Sequence, residues 1–202
     1  MADAIRSESP LARFDLAARA DQPVANAGVV LGERPFLGHL NLRGVAADSK
    51  FVAAVHEVIG VRPPAAPNTV AEAFGNVVCW LGPDEWLIMA PAGRQAQIEQ
   101  SLRASLGDVR SAVTNVSGGQ TVIVIRGVAA RDVLAKGCPL DLHPRAFGVG
   151  RCAQSHLAKA AILVRVVDTT PAFEIVVRRS YADYLWLWLV DAAAEYGVKA
   201  MA

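Results

Sequence analysis

Residues 39–60 read HLNLRGVAADSKFVAAVHEVIG, a short alternating strand pattern followed by a glycine and a helix pattern. Within the helix pattern, Phe51, Val55 and Val58 recur at the spacing of one helix face. Residues 121–137, TVIVIRGVAARDVLAKG, repeat this order, and both stretches contain RGVAA. Together they predict a duplicated strand–helix unit.

A second internal match supports the duplication. EWLIMAPAGRQAQIEQSL (85–102) aligns without a gap with AFEIVVRRSYADYLWLWL (172–189), and both stretches predict a strand followed by a helix. In the first half, residues 77–90 add a hairpin closed by Gly-Pro-Asp. In the second half, residues 151–177 predict a meander of strands. Each half therefore predicts the order β–α–β–β–α.

This order predicts the α+β fold class. A βαββα unit covers one face of its sheet, so two units are expected to pack into one body. The domain is expected over residues 29–202, with pseudo-repeats at about 36–108 and 109–197. Residues 61–76, VRPPAAPNTVAEAFGN, are expected to be the longest irregular connection. Residues 1–28 lack periodicity and are expected to form an arm that is flexible alone or ordered by a partner.

Composition excludes several classes of function. The chain has 202 residues, a formal net charge of +1 and no long run of one charge, which argues against nucleic-acid binding. We expect no membrane segment, because the N-terminus lacks the apolar core of a signal peptide and no long uncharged apolar stretch follows. The three cysteines are widely spaced, which predicts no metal site and a reducing, cytoplasmic location.

The segment AKGCPLDLHPRAF (135–147) brings together Cys138, Asp141 and His143. These residue types could form a nucleophile with its base, but a glycine and a proline flank Cys138 and indicate a helix end. Asp141 lies among apolar residues, where it either caps turn amides or is a carboxylate with a shifted pKa. The spacing favours a turn over a catalytic constellation.

Motifs for cofactors and catalysis are missing from the sequence. NVSGGQT (115–121) and LGERPFLG (31–38) contain glycines, but neither continues as a phosphate-binding loop or a dinucleotide fingerprint. We therefore expect no catalytic residue, no bound metal and no cofactor on this chain.

The last helix pattern, SYADYLWLWLVDAAAEYG (180–197), is apolar on two sides. Trp186, Leu187 and Val190 lie opposite the predicted core stripe, whereas the matching helix at 94–106 is polar there. An exposed apolar face that contains Trp is typical of a protein interface. The pattern predicts a partner protein on this face, and burial under the N-terminal arm is the alternative.

Three longer motifs carry a family resemblance: CWLGPDEWLIMAP at 79–91, KGCPLDLHPRAF at 136–147 and RRSYADYLW at 178–186. With them, the chain resembles the gamma-subunit family of heterotetrameric sarcosine oxidases from about residue 30 to its end. The resemblance implies a fold similar to the folate-binding domain of aminomethyltransferases. It also implies an assembly of four different chains, alpha to delta.

The resemblance places the chemistry on the partner chains. It implies FAD, FMN and NAD on alpha and beta, tetrahydrofolate on alpha and zinc on delta. Sarcosine is then oxidised to glycine, hydrogen peroxide is formed, and the one-carbon unit passes to tetrahydrofolate. This chain is expected to be a non-catalytic structural subunit. Self-association of the isolated chain stays open.

Asp141 is the candidate residue for a folate site on this chain. In the aminomethyltransferase superfamily, the Asp of an N-D-V-like turn lies at the folate site, and a glycine and a Tyr-Thr pair follow. Here Asp141 and Gly150 match the Asp and the glycine, but Leu140 and Gln154-Ser155 replace the other residues. The resemblance therefore implies that Asp141 is vestigial. The alternative function is a stand-alone folate-binding one-carbon protein that uses Asp141.

Overall fold

The computed structural model describes residues 7–22 and 24–201. Its strands are β1 Val29–Arg34, β2 Gly38–Gly44, β3 Val70–Ala73, β4 Asn76–Gly82, β5 Glu85–Ala90, β6 Ser111–Asn115, β7 Gln120–Arg126, β8 Cys152–Leu157, β9 Ala160–Asp168, β10 Ala172–Arg178 and β11 Val198–Met201. Its α-helices are α1 Leu16–Ala20, α2 Ser49–Ile59, α3 Gln95–Leu106, α4 Ala130–Ala135 and α5 Ala182–Ala193. Short 3₁₀ turns span Ala12–Phe14, Ser117–Gly119, Arg179–Tyr181 and Ala194–Tyr196.

The strands form two sheets. The six-stranded sheet has the order β11-β1-β7-β10-β9-β8, and the five-stranded sheet has the order β3-β4-β5-β2-β6. Strands β1 and β11 pair in parallel, whereas the other neighbours in these two sheets pair antiparallel. The α+β fold class predicted from the sequence is confirmed.

The two halves of the chain repeat one arrangement. The first runs β2-α2-β3-β4-β5-α3 and the second runs β7-α4-β8-β9-β10-α5. The strand order is also the same, 3-4-5-2 in one sheet and 8-9-10-7 in the other. The predicted order β–α–β–β–α has one strand too few in each half. In the first half, β3 lies inside the stretch 61–76 that was predicted to be irregular, and in the second half the predicted meander contains three strands, β8 to β10. Strand β3 has only four residues, which is too short for a clear alternation.

The halves are joined by an exchange of strands. Strand β1 precedes the first repeat in the sequence but pairs with β7 of the second. Strand β6 precedes the second repeat but pairs with β2 of the first. Each sheet is therefore completed by a strand from the other half. Neither half can complete its own sheet alone, so the two repeats form one body.

The sheets pack face to face between two outer layers. Helices α2 and α3 cover the five-stranded sheet around Phe51, Trp86 and Leu102. The opposite faces of the two sheets meet in an inner core that includes Met89 and Val122. Helices α4 and α5 cover the outer face of the six-stranded sheet. No helix in the described residues is long and apolar enough to cross a membrane.

The N-terminal arm packs against the outer layer of the six-stranded sheet. Helix α4 has six residues whereas its counterpart α2 has eleven, which leaves part of this sheet to be covered by other segments. Leu11 of the arm is buried in that core, and the ring of Phe14 lies 6.0 Å from the ring of Trp186. Arg13 forms an ion pair with Asp183 of α5 at 3.0 Å. Residues 1–6 of the predicted arm lie outside the described residues.

This packing corrects the prediction for Trp186. The side chain was expected on an outer face open to a partner, but the residue is only 2% exposed. The alternative, burial beneath the arm, is what the structure shows, because Phe14 and the neighbouring core cover the indole. Leu187 remains 52% exposed on the outer face, and Val190 is half-buried.

Gly137 ends α4 for a different reason from the one that the sequence suggests. A glycine after a helix is typically left-handed, but Gly137 is not among the residues with positive φ. A Cβ at this position would instead lie 2.6 Å from the ring of Trp188. The glycine is required because α5 places its indole directly on the backbone of this turn.

Gly137→Ala should therefore destabilise the protein by about 1–3 kcal/mol, the usual cost of overpacking a filled site. Gly118→Ala is the matched control, since a Cβ at Gly118 would meet nothing within 4 Å. Urea denaturation of both variants measures the free energy of unfolding. Equal stability of the two variants would contradict the assigned role of Trp188.

Candidate functional site

In the turn after α4, Cys138, Asp141 and His143 do not bind one another through their side chains, and each has a different hydrogen-bond partner. Asp141 is exposed, and one of its carboxylate oxygens accepts a hydrogen bond from the backbone N–H of His143 at 2.9 Å. The Nδ1 atom of His143 accepts a hydrogen bond from the backbone N–H of Arg145 at 3.2 Å. Cys138 is buried and its sulfur lies 3.8 Å from the hydroxyl of Ser155. The polar side chains of this turn therefore hold its backbone, and the thiol contacts no base.

The rest of the turn closes the hydrophobic core. Leu142 and Phe147 are buried in the same cluster as Cys138. The guanidinium of Arg131 donates to the carbonyl of Leu142 and lies 5.0 Å from the ring of Phe173. This segment occupies part of the outer face that the short helix α4 leaves free. Its polar residues thus serve packing and turn formation.

Gln154 and Gly150, which lie at positions that the aminomethyltransferase resemblance associates with a folate site, form hydrogen bonds away from Asp141. The side-chain amide of Gln154 donates to the carbonyl of Leu81 in the other sheet at 2.8 Å. The carbonyl of Gly150, whose φ is +80°, accepts a hydrogen bond from the backbone N–H of Val70 at 2.9 Å. These positions link the two sheets and do not converge on Asp141.

A buried charge cluster between the sheets was missed by the sequence analysis. Arg165 of β9 donates from Nε to Glu174 of β10 at 2.7 Å and from Nη1 to Glu72 of β3 at 2.5 Å. Arg34 of β1 forms an ion pair with the other oxygen of Glu174. The side chains of Arg165 and Glu174 are 4% and 5% exposed. The sequence did contain a signal for this pair. Arg165 is the one charged residue in the interior of the apolar strand β9, and Glu174, of opposite sign, is the one in the interior of β10.

The cluster ties the two sheets together electrostatically. Burial alone would lower the pKa of Arg165, but the charges of Glu174 and Glu72 and the hydrogen bond from Glu174 outweigh it and raise that pKa. The guanidinium is therefore firmly charged. Losing either member of the buried pair would leave an uncompensated charge in the core, which typically costs about 3–5 kcal/mol.

Two thiols lie beside this cluster. Cys152 contacts two backbone carbonyls, those of Thr69 at 3.4 Å and Trp80 at 3.7 Å from its sulfur. A hydrogen bond with Cys152, together with burial, raises the pKa of Cys79 well above its usual range. The Cys79 thiol therefore stays protonated at neutral pH. Both residues are fully buried, so they behave as small core residues.

His39 lies at the same inner layer of the molecule. It is 1% exposed and pairs across the ladder with Met89. Among the described residues, neither ring nitrogen finds a hydrogen-bond partner. Burial lowers the pKa of this histidine to about 4, so the ring is neutral at physiological pH.

An open groove of about 400 Å³ lies between the sheets, and three of the polar side chains that line it, those of Asn41, Glu85 and Gln154, form hydrogen bonds. The amide of Asn41 donates to Glu85 at 2.7 Å, and the amide of Gln154 donates across the groove as described above. Within the described residues, no group of three or more His, Cys, Asp or Glu side chains is arranged to hold a metal ion. Of the hydrogen bonds in this groove, the one from Gln154 to Leu81 links the two sheets.

Comparisons with known proteins agree on one family. The profile of the "Sarcosine oxidase, gamma subunit family" matches residues 43–195. Sarcosine oxidase subunit gamma of Corynebacterium sp. (strain P-1) is 37% identical over 180 residues, which are 88% of this chain and 87% of that protein. The chain belongs to the sarcosine oxidase gamma-subunit family.

Further relatives agree with this assignment. Sarcosine oxidase subunit gamma of Arthrobacter sp. is 35% identical over 86% of this chain and 84% of its own length. A chain of the solved heterotetrameric sarcosine oxidase from Corynebacterium sp. U-96, in complex with pyrrole 2-carboxylate, matches with a TM-score of 0.84. That match is 34% identical and covers 97% of both chains. The resemblance read from the sequence is confirmed.

The fold of this chain is also similar to that of an aminomethyltransferase. The glycine cleavage system aminomethyltransferase T from Bartonella henselae matches with a TM-score of 0.64 at 14% identity, over 94% of this chain and 51% of that one. At this identity the match shows the fold alone. The predicted similarity to the aminomethyltransferase fold is confirmed.

The pKa of His39 predicts how the stability of this gamma-family chain depends on pH. The folded pKa lies below the unfolded value of about 6.5, so the unfolded chain binds the proton more readily. The contribution of His39 is therefore intact above about pH 6.5 and is lost as the pH falls towards 4. The loss approaches about 3 kcal/mol.

Denaturation curves for the wild type and His39→Leu between pH 7 and pH 4 measure this effect. The leucine variant cannot take up the proton, so its free energy of unfolding should fall less steeply over that range. Parallel pH dependences for the two proteins would contradict the buried, neutral state of His39.

Proposed function

We propose that this chain is a structural, non-catalytic subunit of a heterotetrameric sarcosine oxidase. The observation that carries the proposal is the match to a chain of a solved heterotetrameric sarcosine oxidase over 97% of both chains. A similarity that covers the whole length of both chains supports an equivalent role better than a match to one segment would. Its partners in this proposal are the alpha, beta and delta chains.

The proposed division of labour leaves the cofactors on the partners. FAD, FMN, NAD and tetrahydrofolate belong to alpha and beta in this scheme, and they oxidise sarcosine and collect its one-carbon unit. Two observations on this chain support the scheme. Asp141 and His143 are used by their own turn, and the buried charges Arg165 and Glu174 are paired with each other.

The alternative of a stand-alone folate protein is not favoured. The sarcosine oxidase gamma subunits are 35% and 37% identical to this chain over most of its length, whereas the aminomethyltransferase T structure is only 14% identical. Asp141, on which the alternative depends, is an exposed residue that caps its own turn.

We further propose that the assembly is cytoplasmic, since the three cysteines are buried free thiols of the kind that a reducing compartment maintains.

The outer face of α5 is the proposed contact with a partner subunit. Leu187 and Tyr184 are exposed there, with Val190 half-buried beside them. The corresponding residues of α3 in the gap-free alignment are Gln100 for Leu187 and Gln97 for Tyr184. Since the two helices occupy equivalent places in the fold and α3 has a polar residue at the position of Leu187, the fold does not require an apolar side chain there, and Leu187 is available for docking.

Co-expression with the alpha, beta and delta chains of the same organism tests the proposal. The wild-type chain should co-elute in size exclusion with a complex that shows flavin absorbance and oxidises sarcosine. Leu187→Asp should weaken this association, because a charge would be buried at the interface without a partner. Val45→Asp is the matched control, since Val45 is 50% exposed on another surface.

Two results would count against the proposal. Elution of the wild-type chain apart from the flavin-containing complex would exclude the role as a subunit. Full association of Leu187→Asp would exclude the outer face of α5 as the contact while leaving the role as a subunit intact.

A further inference from the structure

Two phenylalanines have a backbone conformation that disfavours them, Phe74 in the hairpin turn between β3 and β4 and Phe36 in the turn that connects β1 of one sheet to β2 of the other. Phe74 has a φ of +51° and Phe36 has a φ of +62°. Non-glycine residues with positive φ are mostly Asn and Asp, and a bulky residue there is strained. Phe74 is nevertheless 90% exposed and Phe36 is 50% exposed. Burial of these rings within the chain therefore does not offset the strain.

The turn at Phe74 shows how unusual this choice is. Ala73 pairs with Asn76, so Phe74 and Gly75 form a two-residue hairpin loop with both φ angles positive. That pattern is a type I′ turn, in which Asn-Gly is the preferred pair. The equivalent loop of the second half, between β8 and β9, has Ala158 at a φ of +52°. The fold thus accepts a small side chain at this place and does not require an aromatic ring.

The two halves also differ in what covers this loop. In the second half, Trp188 packs on Gly137 next to Ala158, and the hydroxyl of Tyr184 lies 3.4 Å from the backbone N–H of Lys159. In the first half, the ring of Phe74 rests on the backbone of Gly60, where an added Cβ would lie 2.5 Å from the ring. The outward side of that ring stays open.

Both phenylalanines lie at the same end of the five-stranded sheet. Gly38, at the start of β2, pairs with Ala90 at the end of β5, and Val77, near the start of β4, pairs with Met89. The turns before β2 and before β4 therefore flank the end of β5, at a separation of about two strand spacings, or ~10 Å. Between them lies the exposed, uncharged loop Pro91-Ala92-Gly93. We call these two rings and this loop the phenylalanine edge.

We propose that the phenylalanine edge is a docking surface on which Phe36 and Phe74 insert into apolar sockets of another subunit of the oxidase assembly. The inference rests on the proposed function, since it takes its occupant from that assembly. Strain that is kept at an exposed site is explained when a function uses it. Aromatic side chains on preset turns are effective interface anchors, because little side-chain freedom is lost when they are buried.

A second copy of this chain does not fit the surface as well. A stable dimer needs about 800 Å² buried on each partner. Two rings and a three-residue loop supply only part of that area, so the edge serves as an anchor within a larger interface. In an assembly of different chains, the edge can be one of several contacts made by the same subunit. The outer face of α5 is proposed as another of these contacts.

The variants Phe36→Asn and Phe74→Asn test the inference, because Asn is tolerated at positive φ. The melting temperature of the isolated chain should stay the same or rise for each variant. Titration of the labelled chain onto the alpha–beta–delta complex should show at least about tenfold weaker binding for each variant and a larger loss for the double variant. Val128→Asn is the matched control, since Val128 is 81% exposed outside the edge.

The possible outcomes separate this inference from the proposed function. Tight binding of the wild type with weakened binding of both Asn variants supports the docking surface. Equal binding of the wild type and the Asn variants overturns it and leaves the proposed function standing. Failure of the wild type to bind overturns both. An isolated wild-type chain that dimerises, with Phe74→Asn monomeric, overturns it because the occupant would then be a second copy.

Discussion

The exchange of β1 and β6 between the two sheets is the constraint on which the rest of the structure depends. Because each repeat completes the sheet of the other, the inner faces of both sheets must lie against each other. The buried pair Arg165–Glu174 and the neutral His39 are consequences of that closure, since both lie in the layer between the sheets. Within this layer, the hydrogen bond from Arg165 to Glu72 connects one sheet to the other.

The two repeats have kept their cores and changed their surfaces. Helices α3 and α5 align without a gap, yet α5 has Trp186 where α3 has Glu99. The reason is local: the arm covers Trp186, whereas Glu99 pairs with Arg103 in the open. In the helices the large apolar residue lies in the second half, whereas in the hairpin loops it lies in the first. The loop of the first half has an exposed Phe74, and the loop of the second half has the small Ala158. Such divergence at equivalent positions indicates surfaces adapted to different neighbours.

Sequence reasoning predicted the parts of this fold that depend on local pattern. The repeated RGVAA predicted two strand–helix units, and both exist as β2-α2 and β7-α4. The short strand β3 was missed because four residues carry too little alternation. The position of Trp186 was wrong because helix periodicity cannot show which segment of the same chain will cover a face. Arg165 was missed as a core residue because its partner Glu174 is identified only when β9 and β10 are paired.

The turn around Asp141 shows the opposite case, in which sequence reasoning anticipated the structure. Its glycine and proline indicated a corner of the chain, and the carboxylate accepts the backbone hydrogen bond that such a corner needs. The polar residues of this motif act on their own turn, and its apolar residues fill the core.

We propose that this chain acts through its surfaces and not through a catalytic site. Hydrogen–deuterium exchange of the free chain, compared with the chain in its reconstituted oxidase complex, tests that claim most directly. We expect slower exchange in the complex at the turns around residues 36 and 74 and along α5, with little change at residues 139–145. Protection centred on residues 139–145, and dependent on added reduced folate, would contradict it.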